Sequence, residues 1–182
     1  GDRALASSAE AVARLGAAIV RGLQENGVAA CGKHFPGHGD TVVDSHVDLP
    51  IVEHPPDRIR RVECVPFEEA IQASVAFLMT AHVFVPSLDD ASPATLSSRI
   101  VGGLLRRELG YTGVILSDDL EMKAIAKTYT IPDAAVRAIA AGCDGVLVCS
   151  GDLGVQSVLL EALVYATEDG RLPYARVEDA LT

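Results

Sequence analysis

The segment KHFPGHGDTVVDSH, Lys33 to His46, gathers three histidines, two aspartates and a lysine into fourteen residues, around the turn formers Pro36, Gly37 and Gly39. Those side chains fit three chemistries: metal ligation, an anion cradle, or proton transfer. For a metal, His34, His38, Asp44 and His46 are all able ligands, but the segment has no HExxH and no other helical pair to hold them in geometry. For a phosphate, PGHGD lacks both GxGxxG and the P-loop pattern, and no helix begins directly after it. Proton transfer is better served. Asp44 and His46 alternate, so in an extended segment both side chains point the same way. A carboxylate beside an imidazole fixes its tautomer and raises its basicity, giving an acid/base that works near neutral pH. The plainer alternative is an Asx-type turn with His46 exposed.

A second chemical group ends the apolar run GVILSDDL, Gly113 to Leu120. Neighbouring strand residues face opposite ways, so only one of Asp118 and Asp119 readily turns into a pocket, and the other caps the next helix or braces the loop. A carboxylate at one strand end and an Asp–His pair on another strand's loop supply a nucleophile and an acid/base. That division suits displacement at a sugar's anomeric carbon, where the transition state is oxocarbenium-like. The remaining polar residues have two readings each. Lys33 is a sugar ligand or an ion-pair partner of Asp118. His34 is a sugar ligand or a strand-end histidine bonded to a carbonyl. His82, after VAFLMTA, is a pocket-lining or hydrogen-bonding histidine rather than a catalyst.

These groups need a scaffold that brings strand ends together. Ala9 to Gly27 reads as a helix with apolar residues at Val12, Leu15, Ile19 and Leu23, followed by the strand VAACGKHF. A helix from about Cys64 to Ser74 leads into the strand Val75 to Val83, and a polar loop spans Pro86 to Ser98. The helix IVGGLLRRELG precedes the strand Gly113 to Leu120, and the helix Ala134 to Gly142 precedes CDGVLVC. A last helix covers about Leu153 to Ala166, and the tail RLPYARVEDALT reads as one more, cut short.

Helix-then-strand units with near-continuous apolar strands imply a parallel sheet covered by helices. Polar residues follow each of the first three strands, at Lys33–His34, His82 and Asp118–Asp119. A barrel delivers every strand end to one pocket, whereas a doubly wound sheet concentrates chemistry at one switch point. The expected fold is therefore α/β, the C-terminal half of a (β/α)8 TIM barrel, with residues 1–182 forming one partial catalytic barrel truncated at both ends. Its open sheet edges offer a route to self-association.

The formal net charge of −10 argues against nucleic acid as a partner. No apolar run is long enough to span a membrane; the sequence starts at Gly1 without Met or a basic leader, and any signal peptide is expected in the missing N-terminal segment. Cys31, Cys64, Cys143 and Cys149 show no CxxC spacing and are expected as buried, reduced thiols, which favours a reducing, cytoplasmic setting. No cofactor is called for.

With GDRALASS, KHFPGHGDT, DSH, MTAHV, LLRRELGYTGVILSDDLEM and AGCDGVLVC in this order, the sequence resembles the catalytic barrel of family-3 glycoside hydrolases, in the bacterial β-N-acetylglucosaminidase branch. The resemblance implies that Asp118 is the nucleophile of a covalent glycosyl-enzyme and that His46, positioned by Asp44, is the general acid/base. It also implies that Lys33, His34 and Arg3 contact the sugar. The expected activity is retaining removal of terminal β-linked N-acetylglucosamine, as from peptidoglycan-derived fragments, without a metal. The alternatives are a phosphorylase using the same residues and a non-catalytic half-barrel, inactive without the missing strands.

Overall fold

The computed structural model describes residues 4–39, 41 and 48–182. Arg3, Asp44 and His46 lie outside the described residues. Ser8 opens helix α1 (Ala9–Glu25) by accepting a hydrogen bond from the Ala11 amide at 3.2 Å. α1 turns its small residues Ala13 and Ala17, with Val20, inward; the larger Leu15, Ile19 and Leu23 stay exposed. Strand β1 (Cys31–Phe35) follows.

The next helix begins earlier than the spacing predicts. Pro56 starts a short α2 (Pro56–Arg58), which widens into π1 (Ile59–Glu63) and continues as α3 (Val65–Gln72). Proline suits a first helical turn, where its missing N–H costs nothing. The Pro55–Pro56 pair and the arginines beyond it give this turn no apolar spacing by which to read it as helix. Strand β2 (Phe77–Thr80) precedes the polar loop, in which Ala94–Leu96 forms one buried 3₁₀ turn.

Helix π2 (Arg99–Glu108) leads into β3 (Val114–Asp119), and a short α4 (Lys123–Ala126) comes after the strand. Thr130 caps α5 (Ile131–Ala141), accepting from the Asp133 amide at 3.3 Å, and β4 (Gly145–Leu147) comes next. α6 (Leu153–Glu168) and α7 (Tyr174–Leu181) close the described chain.

All strand pairings are parallel, in the order β1-β2-β3-β4. Sequential order with a helix after each strand is the barrel pattern, and a complete barrel closes only with eight strands. The chain supplies a partial (β/α)8 barrel in which β1 and β4 are the outer strands. Beyond the tip of β2 the chain pairs once more: the Phe84 amide donates to the Pro50 carbonyl at 2.8 Å, and the Val52 amide donates to the Phe84 carbonyl at 2.8 Å.

The main core fills the space between sheet and helices, with Phe35, Ile59, Leu78, Ile100, Leu105 and Ile115 wholly buried. The cysteine expectation holds at Cys64 and Cys143 but fails at Cys31 and Cys149, which are exposed although they sit at the ends of apolar runs. Strand ends reach the surface even when strand centres do not. Burial pushes the Cys143 thiol up to about 12, which keeps it protonated and inert.

At the N-terminal ends of the strands, an ionic clasp joins three helices to the sheet. Asp144, just before β4, accepts from Arg106 of π2, from Arg176 of α7 at 2.7 Å and from the Ile115 amide at 2.8 Å. Arg106 also donates to the Tyr111 carbonyl at 3.0 Å, and Arg176 to the carbonyls of Ile139 at 3.0 Å and Cys143 at 2.7 Å.

Candidate active site

Parallel strands in sequential order put Phe35, Thr80, Asp119 and Leu147 at one end of the sheet. The chemistry-bearing residues cluster there. His34 on β1 and Asp118 on β3 face each other across the tip of β2, with Nε2 3.6 Å from Oδ2, and their side chains are 26% and 16% exposed. The other Asp118 oxygen, Oδ1, accepts from the Asp119 amide at 2.9 Å. One carboxylate oxygen is therefore tied to the backbone, and the other faces the mouth of the barrel beside an imidazole.

Asp119 turns the opposite way, as strand alternation requires. Its Oδ1 accepts from the Glu121 amide at 3.1 Å and from the Cys149 amide at 3.3 Å. It braces the loops after β3 and β4 and leaves Asp118 to the pocket.

Lys33 is exposed, and its ion pair with Asp118 does not form; the neighbour of Asp118 is His34. The His34 side chain correspondingly takes no backbone carbonyl among the described residues. Its ring stands edge-on to His38, with centroids 6.1 Å apart, and His38 Nδ1 lies 2.9 Å from the Thr41 hydroxyl. Gly37 makes the turn between them at φ 135°, a conformation that disfavours any residue with a side chain. A Cβ there would also stand 2.9 Å from Cβ and Cγ of Glu63, so the loop is seated on π1.

His82, which the sequence left without a catalytic role, is wholly buried and makes defined bonds. Its Nε2 lies 2.9 Å from the carbonyl of Asp119, and its Nδ1 lies 2.9 Å from the Thr95 hydroxyl. The Thr80 hydroxyl is 2.9 Å from that of Thr95. Only the position of His82 after an apolar strand hinted at this role; the partner Thr95 comes from a loop whose path the sequence does not reveal.

Burial holds His34 below the ordinary imidazole value of 6.5, against the pull of the Asp118 carboxylate, and it lowers His82 likewise against its bond to the Asp119 carbonyl and the nearby Asp118 and Asp119 charges. His38 opposes protonation of both. The sign is set by linkage. In the unfolded chain both rings protonate near 6.5, so below that value the unfolded state holds more protons than the folded one. Their contribution to stability is complete above 6.5 and is lost as pH falls from there toward the folded values. The urea midpoint of the chain is expected to drop between about pH 7.5 and about pH 5.5, and His82→Gln to flatten that dependence. An unchanged slope in the variant would show that His82 protonates as freely folded as unfolded.

Among the described residues no cluster of His, Cys, Asp or Glu is arranged to hold a metal ion. No described helix is long and apolar enough to cross a membrane.

Comparison with known proteins agrees with this architecture. The chain is 49% identical to a glycoside hydrolase family 3 β-N-acetylglucosaminidase from Paenibacillus sp. str. FPU-7, whose structure superposes with a TM-score of 0.96 over 100% of this chain and 34% of that one. A β-N-acetylglucosaminidase from Thermotoga maritima is 34% identical, with a TM-score of 0.87 over 96% of this chain and 38% of that one. A β-hexosaminidase of Thiobacillus denitrificans is 43% identical over 150 residues, which are 82% of this chain and 42% of the relative. The chain thus spans less than half the length of each of these three relatives. Residues 1–182 match the glycosyl hydrolase family 3 N terminal domain from end to end, and the chain belongs to that family.

Proposed function

We propose that this chain carries both the nucleophile and the acid/base of a retaining β-N-acetylglucosaminidase site, with Asp118 attacking the anomeric carbon. The observation that carries the reading is the Asp118 carboxylate itself. It sits at a barrel strand end with Oδ1 held by the Asp119 amide and Oδ2 turned to the mouth, in a chain 49% identical to a β-N-acetylglucosaminidase.

In the first step a bond forms between an Asp118 oxygen and the anomeric carbon while the bond to the leaving oxygen breaks. His46 donates its proton to that oxygen, and Asp44 orients the ring. In the second step His46 takes a proton from water, the water oxygen bonds to the anomeric carbon, and Asp118 departs as carboxylate. Two displacements return the β configuration. The neutral state that burial favours in His34 matters here, because it leaves the charge of Asp118 uncancelled for the oxocarbenium-like transition state. His34, Lys33 and Arg3 supply donors for the sugar hydroxyls, and the substrate is a small N-acetylglucosaminide.

The test is turnover of an aryl β-N-acetylglucosaminide by the chain, and by a barrel completed to eight strands with an N-terminal segment from a relative. The completed barrel is expected to release the β-anomer first, seen by proton NMR, with little turnover from the chain alone. An α-anomer formed first sinks the retaining mechanism, and sugar-1-phosphate formed on adding phosphate identifies a phosphorylase. In the same barrel His46→Ala is expected to slow substrates with poor leaving groups by about 10²-fold more than activated aryl substrates, since only the former need protonation. Equal slowing of both classes removes the acid role.

A further inference from the structure

His82 lies outside the set of residues assigned to sugar or proton, yet it touches the backbone of the nucleophile's neighbour. Its Nε2 is 2.9 Å from the carbonyl of Asp119, a group that can only accept, so Nε2 carries the proton. In the neutral ring Nδ1 is then an acceptor, and the donor facing it is the Thr95 hydroxyl at 2.9 Å. Thr95 Oγ1 in turn receives the Thr80 hydroxyl proton across 2.9 Å. The Thr95 hydroxyl also lies 3.0 Å from the Ala81 carbonyl, which competes with Nδ1 for its one proton. Every member of this relay is wholly buried.

The relay ends on a residue that is fixed from several sides. The Asp119 carbonyl also accepts from the Met122 amide at 3.1 Å, and its carboxylate accepts from Glu121 and Cys149. With carbonyl and carboxylate both held, the φ and ψ of Asp119 are constrained, and its amide donates to Asp118 Oδ1 at 2.9 Å. That bond decides which Asp118 oxygen is engaged and which faces the mouth of the barrel.

We propose that His82 is a positioning residue for the nucleophile. Its Nε2–H, with the tautomer set by the Thr80–Thr95 hydroxyl relay, locks the Asp119 peptide and thereby aims Asp118 Oδ2 at the anomeric carbon. This rests on the reading of Asp118 as nucleophile. The bond joins the end of β2 to the end of β3, so it orients the carboxylate across strands, which no contact within β3 can do.

The kinetic test compares His82→Leu, which fills a similar volume without donating, with His82→Gln, whose amide N–H can replace Nε2–H. In the completed barrel the leucine variant is expected to lose about 100-fold in kcat with KM within about threefold of the parent, because a small misplacement of a reacting group costs that much. The glutamine variant should recover at least about tenfold of the loss. Full kcat in the leucine variant, or equal loss in both variants, overturns the proposal. Nitrogen-15 NMR of the unsubstituted chain needs no variant to fold: the expected spectrum shows His82 as the Nε2–H tautomer at neutral pH, and the Nδ1–H tautomer overturns the proposal. The two readings fail separately. A parent without turnover, or an active Asp118→Ala, removes the glycosidase reading and this proposal with it. A parent that depends on Asp118 beside an undiminished His82→Leu removes the positioning role alone.

Discussion

Replacing Asp118 by alanine is expected to lower turnover of an aryl β-N-acetylglucosaminide by about 10⁴-fold or more in the completed barrel, with the fold unchanged. The size follows from the role proposed for the side chain: to make the covalent bond and, by its charge, to stabilise the positive character that develops at the anomeric carbon. No described neighbour can replace it. Asp119 is held by the Glu121 and Cys149 amides on the other side of the strand, and His34 is kept neutral by burial. Added azide gives a sharper diagnosis than rate alone. If Asp118 is the nucleophile, azide should enter the space left by its carboxylate and displace the leaving group in one step, giving the α-glycosyl azide. A β-azide would mark the missing residue as the acid/base, and unchanged turnover would sink the nucleophile assignment.

At the other end of the sheet, Asp144→Ala is expected to destabilise the chain by about 3–5 kcal/mol, because it leaves two arginines facing each other without their common anion. For a chain of this length that is a fall of about 10 °C in the midpoint of thermal unfolding. The Asp144 side chain is 8% exposed, so solvent screening of the pair with Arg176 is weak. The Ile115 amide at the start of β3 also loses its acceptor, which touches the sheet directly. Asp144→Asn keeps an acceptor for that amide and should fall between the two. A melting curve that does not move in either variant would mean the clasp contributes nothing to folding.

The chain shows which parts of a barrel can be read without coordinates. The alternation of α1, α3, π2 and α5 with apolar strands was legible because apolar spacing of helical and strand periods switches sharply at Gly27, Gly110 and Gly142. The facing of Asp118 and Asp119 was legible too, since strand geometry admits only opposite directions. What was hidden depends on contacts between distant segments. The extra turn at Pro56–Arg58 and the short helix Lys123–Ala126 carry no local signal strong enough to outweigh their prolines, charges and brevity. The pairing of His34 rather than Lys33 with Asp118 depends on which side chain at the end of β1 shares a side of the sheet with Asp118 across β2, which no sequence spacing records. The tie from His82 to Asp119 joins residues 37 apart in the chain and is visible only once β2 and β3 lie side by side.

The single rung between Ile51 and Phe84 has a consequence for His46, the acid/base of the proposed mechanism. With Phe35 in β1 and Ile51 paired to Phe84 just beyond β2, both flanks of the segment that contains His46 in sequence are anchored. A group on a tether fixed at both ends acts at an effective concentration set by tether length. Lengthening a loop costs little in folding free energy, about 0.6 kcal/mol for each doubling. Residues inserted between Gly39 and Pro50 should therefore leave the melting temperature nearly unchanged while diluting His46 at the anomeric centre. If His46 is the acid/base, a longer loop is expected to lower kcat steeply while the melting temperature hardly moves.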